Sequence, residues 1–322
     1  MRLRRLAPLT ALVAAAPVPP PPVLVPPIAC ALGTDCAIQS YPDDDPGPAA
    51  TDYQCHGRTY PRHDGTDFRI PSMARQRTGV SVLAAAGGRV LRTRDGVADV
   101  SIRDLPAGAT TNAECGNGLV IDHGGGWETQ YCHMARGSLI VRPGMTVTQG
   151  QVLGRVGLSG NTEFPHVHLT VRHDGQAVDP FAWGAAVGQC KAGRSLWRVT
   201  PAYIRGQVLV AGFASQPPTM AQVQQDGAEQ QPRPGRATAL IAFVQSIGLV
   251  GGDVQRLTLR GPDGQVLADR TEPALDRDKA QTLLFIGRKA PTAGWPAGGY
   301  RLDYVVTRGE ARVITAQRLV TF

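Results

Sequence analysis

Short runs of strand-forming residues, each ended by glycine, proline or aspartate, constrain the fold of this chain more than any other feature. The 322-residue sequence contains 38 glycines and 26 prolines, residues that mark turns rather than helix interiors. NGLVIDHGGGWETQYCHM and FPHVHLTVRHDGQAVDPF each hold two apolar runs around a glycine-containing turn, which is typical of β-hairpins. Residues 63–190 show no convincing amphipathic helix, so we predict an all-β, antiparallel fold.

Changes in composition divide the chain, which is long enough for two ordinary domains. The final 120 residues contain six or seven short apolar runs, a spacing that favours an immunoglobulin-like β-sandwich, although no cysteine follows Cys190. We predict a signal peptide and proline-rich segment over 1–29, a cysteine-containing extension over 30–62, a β domain bearing the chemistry over 63–190, a linker over 191–202 and a β-sandwich accessory domain over 203–322.

The N-terminus and the cysteines indicate the compartment. MRLRR followed by LAPLTALVAAA resembles a secretory signal, and the prolines of PVPPPPVLVPP argue against a membrane-spanning helix. Six cysteines fit an exported protein with disulfides. Two pairings have a reason in the sequence, because Cys30 and Cys36 would close a short loop and Cys115 and Cys132 flank a hairpin.

The net charge of +7 suggests an anionic partner. Nucleic acid is disfavoured, because the basic residues are scattered and no nucleic-acid-binding motif is present.

Histidines carry the candidate chemistry. His166 and His168 alternate in FPHVHLTV, a strand-like run that would place both on one face. His63 and Asp67 form HxxxD in HDGTDF and share a face if that segment is extended. Two imidazoles and one carboxylate are a common ligand set for an open zinc site, which keeps a position for water. The residues alone leave open which of His166 and His168 would be the ligand.

The spare histidine would have a role beside the metal. A neutral histidine can take the proton of a water acidified by zinc. His133, in YCHM on another strand, could stabilise the oxyanion that forms when hydroxide attacks a carbonyl. The nearby polar residues have ordinary explanations: we assign Asp64 to a turn or strand edge and Asn161 to a turn, with contact to the substrate or the metal as the alternative for Asn161. We expect His123 and His173 to be exposed in turns and His56 to be an ordinary loop residue rather than part of the site.

The motifs HDGTDF, TQYCHM and SGNTEFPHVHL, in this order, resemble the lysostaphin-like family of zinc peptidoglycan endopeptidases with a LytM-type domain. That family carries HxxxD, a lone histidine at a strand end and HxH. The resemblance covers roughly residues 60–182. It implies that His63, Asp67 and His168 bind Zn²⁺ and that His133 and His166 are catalytic. This chain departs from the usual pattern in having Cys132 before the lone histidine.

The resemblance implies a secreted zinc-dependent endopeptidase that hydrolyses peptide cross-links of peptidoglycan, with stem peptides and cross-bridges as its partners. A signal and disulfides without a wall-sorting signal favour a periplasmic location. One alternative is a non-catalytic regulator or activator of cell-wall hydrolases, and another is a wall-binding module. The accessory domain is a candidate to contact the wall or a protein partner. The 30–62 segment could cover the groove. We expect no transmembrane anchor.

Overall fold

Antiparallel strands form nearly all of the regular structure. The computed structural model describes residues 20–227 and 237–322, so the first 19 residues of the expected signal segment lie outside it. Every pair of strands in these described parts is antiparallel. The predicted all-β, antiparallel fold is therefore confirmed.

The first half of the chain is built on one eight-stranded sheet. Its strands lie in the order β1 (Ala37–Ser40), β2 (Thr66–Arg69), β9 (His166–His173), β6 (Trp127–Met134), β5 (Asn117–Gly124), β4 (Gly88–Arg94) and β7 (Thr146–Val147), with β10 (Gln176–Val178) beside β9. A small second sheet pairs β3 (Ser81–Leu83) with β8 (Val152–Arg155), and the helical elements here are α1 (Met73–Arg77) and a 3-10 turn (Ile102–Asp104).

Alternation along β9 decides which face of the large sheet bears the site. Val167, Leu169 and Val171 are each at most 1% exposed and pack into the hydrophobic core. Because successive side chains of a strand point to opposite faces, His166 and His168 lie on the other face.

The segment before the site is more ordered than its composition suggests. Residues 30–62 lack apolar periodicity, yet β1 pairs with β2 at the edge of the sheet; four residues are too few for alternation to reveal a strand. The proline-rich stretch also packs down, because Leu24 is fully buried and bridges to Trp197. Four aromatic rings join the extension to later parts of the chain, with centroids 4.9 to 5.7 Å apart: Tyr41, Tyr53, Phe181 and Tyr203.

Three disulfides hold this half together. The predicted Cys30–Cys36 and Cys115–Cys132 bonds are both confirmed. The third bond joins Cys55 in the extension to Cys190, 135 residues later. No local pattern could pair two cysteines so far apart.

The described residues of the C-terminal part form seven strands in two layers. One layer contains β11 (Gln207–Ala214), β12 (Ala239–Leu249) and β15 (Lys279–Lys289), and the other contains β14 (Val266–Thr271), β13 (Asp253–Arg260), β16 (Gly299–Arg308) and β17 (Ala311–Thr321). Phe213, Val244, Leu257 and Tyr304 belong to a shared core. The immunoglobulin-like assignment of this sandwich stays a prediction.

Helix α2 (Met220–Asp226) was not expected from the sequence. Thr219 and Gln222 form a capping box at its start. The helix spans only seven residues, too short for a clear helical period. Across residues 20–227 and 237–322, no helix is long and apolar enough to cross a membrane.

The long-range disulfide should contribute most to stability. Replacing Cys55 and Cys190 with alanine should lower the free energy of unfolding by about 5 kcal/mol, because the bond closes a loop of 135 residues. The matched Cys30→Ala/Cys36→Ala variant opens a loop of only 6 residues and should lose about 2 kcal/mol. Urea unfolding of both variants measures the difference, and an equal or larger loss at the short loop would contradict the prediction.

Asp179 should make stability depend on pH. Its Oδ1 accepts from the Phe181 N–H at 2.7 Å, but its Oδ2 is buried without a partner. Burial, with the charges of Asp44 and Asp52, raises the pKa of Asp179 to about 7. This pKa lies above the unfolded value near 3.9, so the protonated form of Asp179 stabilises the folded state. That contribution is fully present below about pH 4 and is lost as the pH rises through about 7.

Asp179→Asn keeps an acceptor for Phe181 and removes the charge. The variant should therefore be more stable than the wild type at pH 8 by about 1–3 kcal/mol, the usual penalty of a buried unsatisfied polar group. This advantage should shrink at pH 5. Urea unfolding at the two pH values tests it, and a difference independent of pH would rule out the ionisation of Asp179 as the cause.

Candidate metal centre

Pairing between neighbouring strands gathers the predicted site residues on one face. Asp67 of β2 lies opposite His168 of β9, and His168 also lies opposite Cys132 of β6, which His133 follows. The five predicted site residues are all buried, with exposed fractions between 2% and 8%: His63, Asp67, His133, His166 and His168.

His63 reaches the site from a loop rather than from an extended strand. It precedes β2, and its N–H bonds the Tyr60 carbonyl at 3.1 Å. Gly65 makes this approach feasible, since a Cβ there would lie 2.5 Å from both His168 Nε2 and the Leu169 carbonyl oxygen. His63 therefore meets Asp67 although the segment between them is not one continuous strand.

Three potential ligand atoms converge. His63 Nε2 lies 3.2 Å from Asp67 Oδ1 and 3.2 Å from His168 Nδ1, and the last two atoms are 2.9 Å apart. Tetrahedral zinc, with bonds of about 2.0–2.1 Å, holds neighbouring ligand atoms roughly 3.3 Å apart. The donor types and the spacing therefore both fit a zinc ion. The other metal-like group in the described residues contains Cys30 and Cys36, which are bonded to each other.

Hydrogen bonds on the far side of each ring orient the two candidate ligands. His63 Nδ1–H donates to the Tyr41 carbonyl at 2.7 Å, which leaves the Nε2 lone pair facing the site. His168 Nε2 contacts Asp64 Oδ1 at 3.2 Å and Thr170 Oγ1 at 3.0 Å, so its Nδ1 faces the site. Carboxylates and carbonyls behind metal-binding histidines commonly set their tautomer and orientation.

Asp64 is thus a site residue that sequence reasoning assigned to a turn. It lies 104 residues from His168 in the chain. Only the pairing of β2 with β9 brings the two together, and no local signal could have identified the contact.

The charges around the centre favour an anionic Asp67. Burial alone would raise the pKa of Asp67, but His63 and His166 outweigh it and hold that pKa well below its usual range. Burial alone would lower the pKa of His168, whereas its hydrogen bonds with Asp64 and Asp67 raise it to about 9. A bound metal would take the place of the proton on His168.

His133 and His166 form a second pair, with ring centroids 4.6 Å apart. His133 Nδ1–H donates to the Ser159 carbonyl at 2.8 Å, and His166 Nδ1 is 2.9 Å from the Phe164 carbonyl. Carbonyl oxygens only accept, so each ring turns Nε2 toward the site, where His166 Nε2 lies 3.2 Å from Asp67 Oδ1. Burial, with His166 and His168 nearby, lowers the pKa of His133 well below its usual value. His133 must therefore gain a proton before it can donate to an oxyanion.

A disulfide supports the unusual backbone of His133. This residue has a φ of +61°, in the left-handed region that non-glycine residues seldom adopt. Its N–H donates to the Cys115 carbonyl at 2.8 Å, and Cys115 is bonded to Cys132. The covalent bond therefore holds the strand end that presents this histidine.

The same disulfide connects to the metal set through a polar chain. Gln130 Nε2 lies 3.3 Å from each sulfur of the Cys115–Cys132 bond. Gln130 Oε1 accepts from Arg172 Nη1 at 2.6 Å, and Arg172 Nη2 lies 3.4 Å from Asp64 Oδ2. Asp64 in turn orients His168. A chain of hydrogen bonds therefore connects the disulfide to this candidate metal ligand.

The 30–62 segment borders the site. The Tyr41 carbonyl orients His63, and the Tyr60 ring stacks on His63 with centroids 4.3 Å apart. A cavity of about 350 Å³ remains beside Asp67, His133 and His166. The segment thus forms part of the wall, whereas the sequence left open whether it covers the groove.

The other three histidines lie elsewhere and are partly buried, whereas His123 and His173 were expected to be exposed. His123 bonds the Gly87 carbonyl at 2.7 Å, His173 packs against Trp127, and His56 lies near Tyr203. Asn161 lines the cavity, and its backbone N–H bonds the Glu114 carbonyl at 2.8 Å.

Comparisons with known proteins concern the region that contains this site. Residues 61–180 match the model of peptidase family M23. Peptidoglycan DD-endopeptidase ShyA of Vibrio cholerae is 32% identical over 120 residues, which cover 36% of this chain and 22% of the relative. DD-carboxypeptidase/endopeptidase Mpg of Neisseria meningitidis is 33% identical over 106 residues, which cover 33% of this chain and 22% of the relative.

The chain thus spans about a fifth of the length of these curated relatives. One similar solved structure is the catalytic domain of the prophage-encoded M23 protein EnpA from Enterococcus faecalis. It is 23% identical to this chain, with a TM-score of 0.33, and the match covers 48% of this chain and 95% of that one. Residues 61–180 match the family model and contain the HxxxD, histidine and HxH motifs in order. This region of the chain therefore belongs to peptidase family M23.

Proposed function

We propose that this protein is a secreted zinc-dependent endopeptidase that hydrolyses peptide cross-links of peptidoglycan. The observation that carries the proposal is the convergence of His63 Nε2, Asp67 Oδ1 and His168 Nδ1 within 3.2 Å of one another. The substrate class is supported by relatives named as peptidoglycan and DD-endopeptidases. All five motif positions are present, which favours an enzyme over a non-catalytic regulator.

In this proposal His63, Asp67 and His168 hold the zinc ion. When bound, zinc supplies a Lewis acid that polarises a carbonyl group and acidifies water. Asp67 is suited to the cation because it is anionic, and Tyr41 and Asp64 fix the two histidine rings that face it.

His166 and His133 would move the protons. His166 accepts a proton from the attacking water at Nε2, while its Nδ1–H stays bonded to the Phe164 carbonyl. It then delivers that proton to the nitrogen of the broken peptide bond. His133 is neutral in the free protein, and a developing oxyanion would raise its pKa so that a protonated Nε2 could donate to that charge.

Charge and disulfides support an extracytoplasmic setting. The net charge of +7 would help the protein associate with an anionic wall, and three disulfides persist in oxidising compartments. We therefore propose the periplasm as the location and D-amino-acid cross-links as the substrate.

Metal binding should depend on the three converging residues. The purified protein should contain one zinc per chain, and it should lose activity on chelation and regain it with added zinc. His168→Ala should lose both the zinc and at least 100-fold of the activity. His173→Ala, on the same strand but against Trp127, is the matched control and should retain both. Metal analysis and release of peptides from purified peptidoglycan provide the measurements.

The outcomes separate the candidate functions. A zinc-loaded wild type that releases no peptide would contradict the endopeptidase and favour the regulator. A protein that binds no zinc would contradict the metal site.

The proton-transfer pair should be separable from the metal set. His166→Ala and His133→Ala should each retain zinc but lower kcat by about 10²–10⁴-fold, the usual contribution of a positioned acid or base. KM should change little. Steady-state kinetics on a soluble cross-linked muropeptide, with zinc analysis of each variant, provides the test. Loss of zinc from His166→Ala but not from His168→Ala would reverse their assigned roles.

A further inference from the structure

We propose that the C-terminal sandwich forms one wall of the substrate cleft, and that the crevice between β1 and β15 binds the peptide substrate on one side of the bond that is cut. This inference rests on the proposed endopeptidase function and adds a subsite to it. It gives the accessory domain a direct part in substrate binding, in place of a separate wall-binding role.

The cavity at the candidate metal centre continues into the space between the two halves of the chain. The 350 Å³ cavity beside Asp67 and His166 is bounded on another side by Ala280 of β15. A second cavity of about 240 Å³ also begins at Ala280 and runs between the sheets to Asp278 and Lys279. Both cavities are lined by Gln39, Ser40, Tyr60 and Ala280, so they adjoin each other along the crevice between β1 and β15.

Arg69 attaches the sandwich edge to the strand that carries Asp67. This fully buried arginine donates through Nη1 to Gln39 Oε1 at 2.8 Å and to Gln281 Oε1 at 3.2 Å. Gln39 in turn donates through Nε2 to the Ala280 carbonyl at 3.0 Å. The position of β15 beside the groove is therefore fixed by hydrogen bonds that are part of a buried network.

A second buried arginine closes the far side of the same interface. The guanidinium of Arg58 donates to the backbone carbonyls of Ile38 and Ile204. It also packs against Gly248 of β12, where a Cβ would come within 2.9 Å of the guanidinium. Two buried cations thus hold the halves together, which distinguishes this interface from a loose contact between independent domains.

The interface also lies directly behind a candidate catalytic residue. Arg69 is opposite His166 in the β2–β9 register. Its guanidinium lies 4.1 Å from the centre of the Phe164 ring, and that ring is 4.9 Å from the ring of His166. Gln281 of the sandwich therefore contacts the same arginine that packs behind the proton-transfer pair.

The chemistry of the groove fits a peptide. Gln39, Ser40 and Tyr60 run through both cavities, and Asn161 and Thr162 line the end nearest the metal centre. Gln39 already bonds Arg69 and Ala280. The hydroxyls of Ser40 and Tyr60 and the amide of Asn161 can both donate and accept hydrogen bonds, as the N–H and C=O groups of a peptide backbone require. Two cationic residues, Arg58 and Lys279, and one anionic residue, Asp278, line the far end.

Filling the crevice should weaken substrate binding without disturbing the chemistry. Ala280 is exposed and lines both cavities, so Ala280→Trp should block the groove while leaving the fold intact. We expect KM for a cross-linked muropeptide dimer to rise at least tenfold with kcat changed less than threefold. Ala311→Trp replaces another exposed alanine of the sandwich, outside the groove, and is the matched control that should behave as the wild type.

Binding should be measured apart from turnover. In the zinc-loaded His166→Ala background, which should cleave the dimer at least about 100-fold more slowly, Ala280→Trp should raise the Kd for the dimer at least tenfold and Ala311→Trp should not. Zinc content and the midpoint of thermal unfolding should match in all variants.

Equal Kd values for the two tryptophan variants would overturn the inference, as would a fall in kcat with unchanged KM. A wild type that binds but never cleaves the dimer would refute the endopeptidase, whereas the crevice would still be supported if Ala280→Trp weakened that binding.

Discussion

The antiparallel pairing of β2 with β9 is the interaction on which the rest of the site depends. It places Asp67 opposite His168 and Arg69 opposite His166, which joins the HxxxD and HxH motifs although about 100 residues separate them. A slip of one residue would turn every side chain of one strand to the other face. The buried Val167, Leu169 and Val171 resist such a slip, because it would expose them. The hydrophobic core therefore sets the register of the polar face.

The polar face is held in position largely by groups that do no chemistry themselves. Backbone carbonyls of Tyr41, Ser159 and Phe164 each fix one imidazole. The Cys115–Cys132 bond supports the left-handed backbone at His133 and reaches Asp64 through Gln130 and Arg172. Such support matters because a histidine can present only one ring nitrogen to the site once the other is bonded. Buried polar groups without this network would be costly.

The peptidase family M23 region does not stand alone in this chain. The extension before it supplies β1 and the stacking ring of Tyr60, and a disulfide ties that extension to Cys190. The sandwich after it is joined through Arg58 and Arg69 and borders the same groove. The extension and the sandwich, which lie outside the family match, therefore form walls of the cleft. In our proposal the sandwich also contacts the bound peptide.

The sequence by itself determined the local features. Alternating residues and glycine turns specified antiparallel strands, two of the three disulfides followed from short spacings, and the ordered motifs named five residues that the structure brings to one buried face. Short elements such as β1 and α2 gave no clear pattern in the sequence, because four and seven residues are too few to show a period.

Only the tertiary structure decided which histidine lies with which partner. It grouped His168 with His63 and Asp67, and it placed His166 between His133 and Asp67. It also gave Asp64 a role behind His168, paired Cys55 with Cys190 and set Ala280 at the edge of the groove. The physical reason is that alternation and turn preference act over a few residues, whereas these contacts join residues tens to hundreds of positions apart, and only packing of the whole chain brings them together.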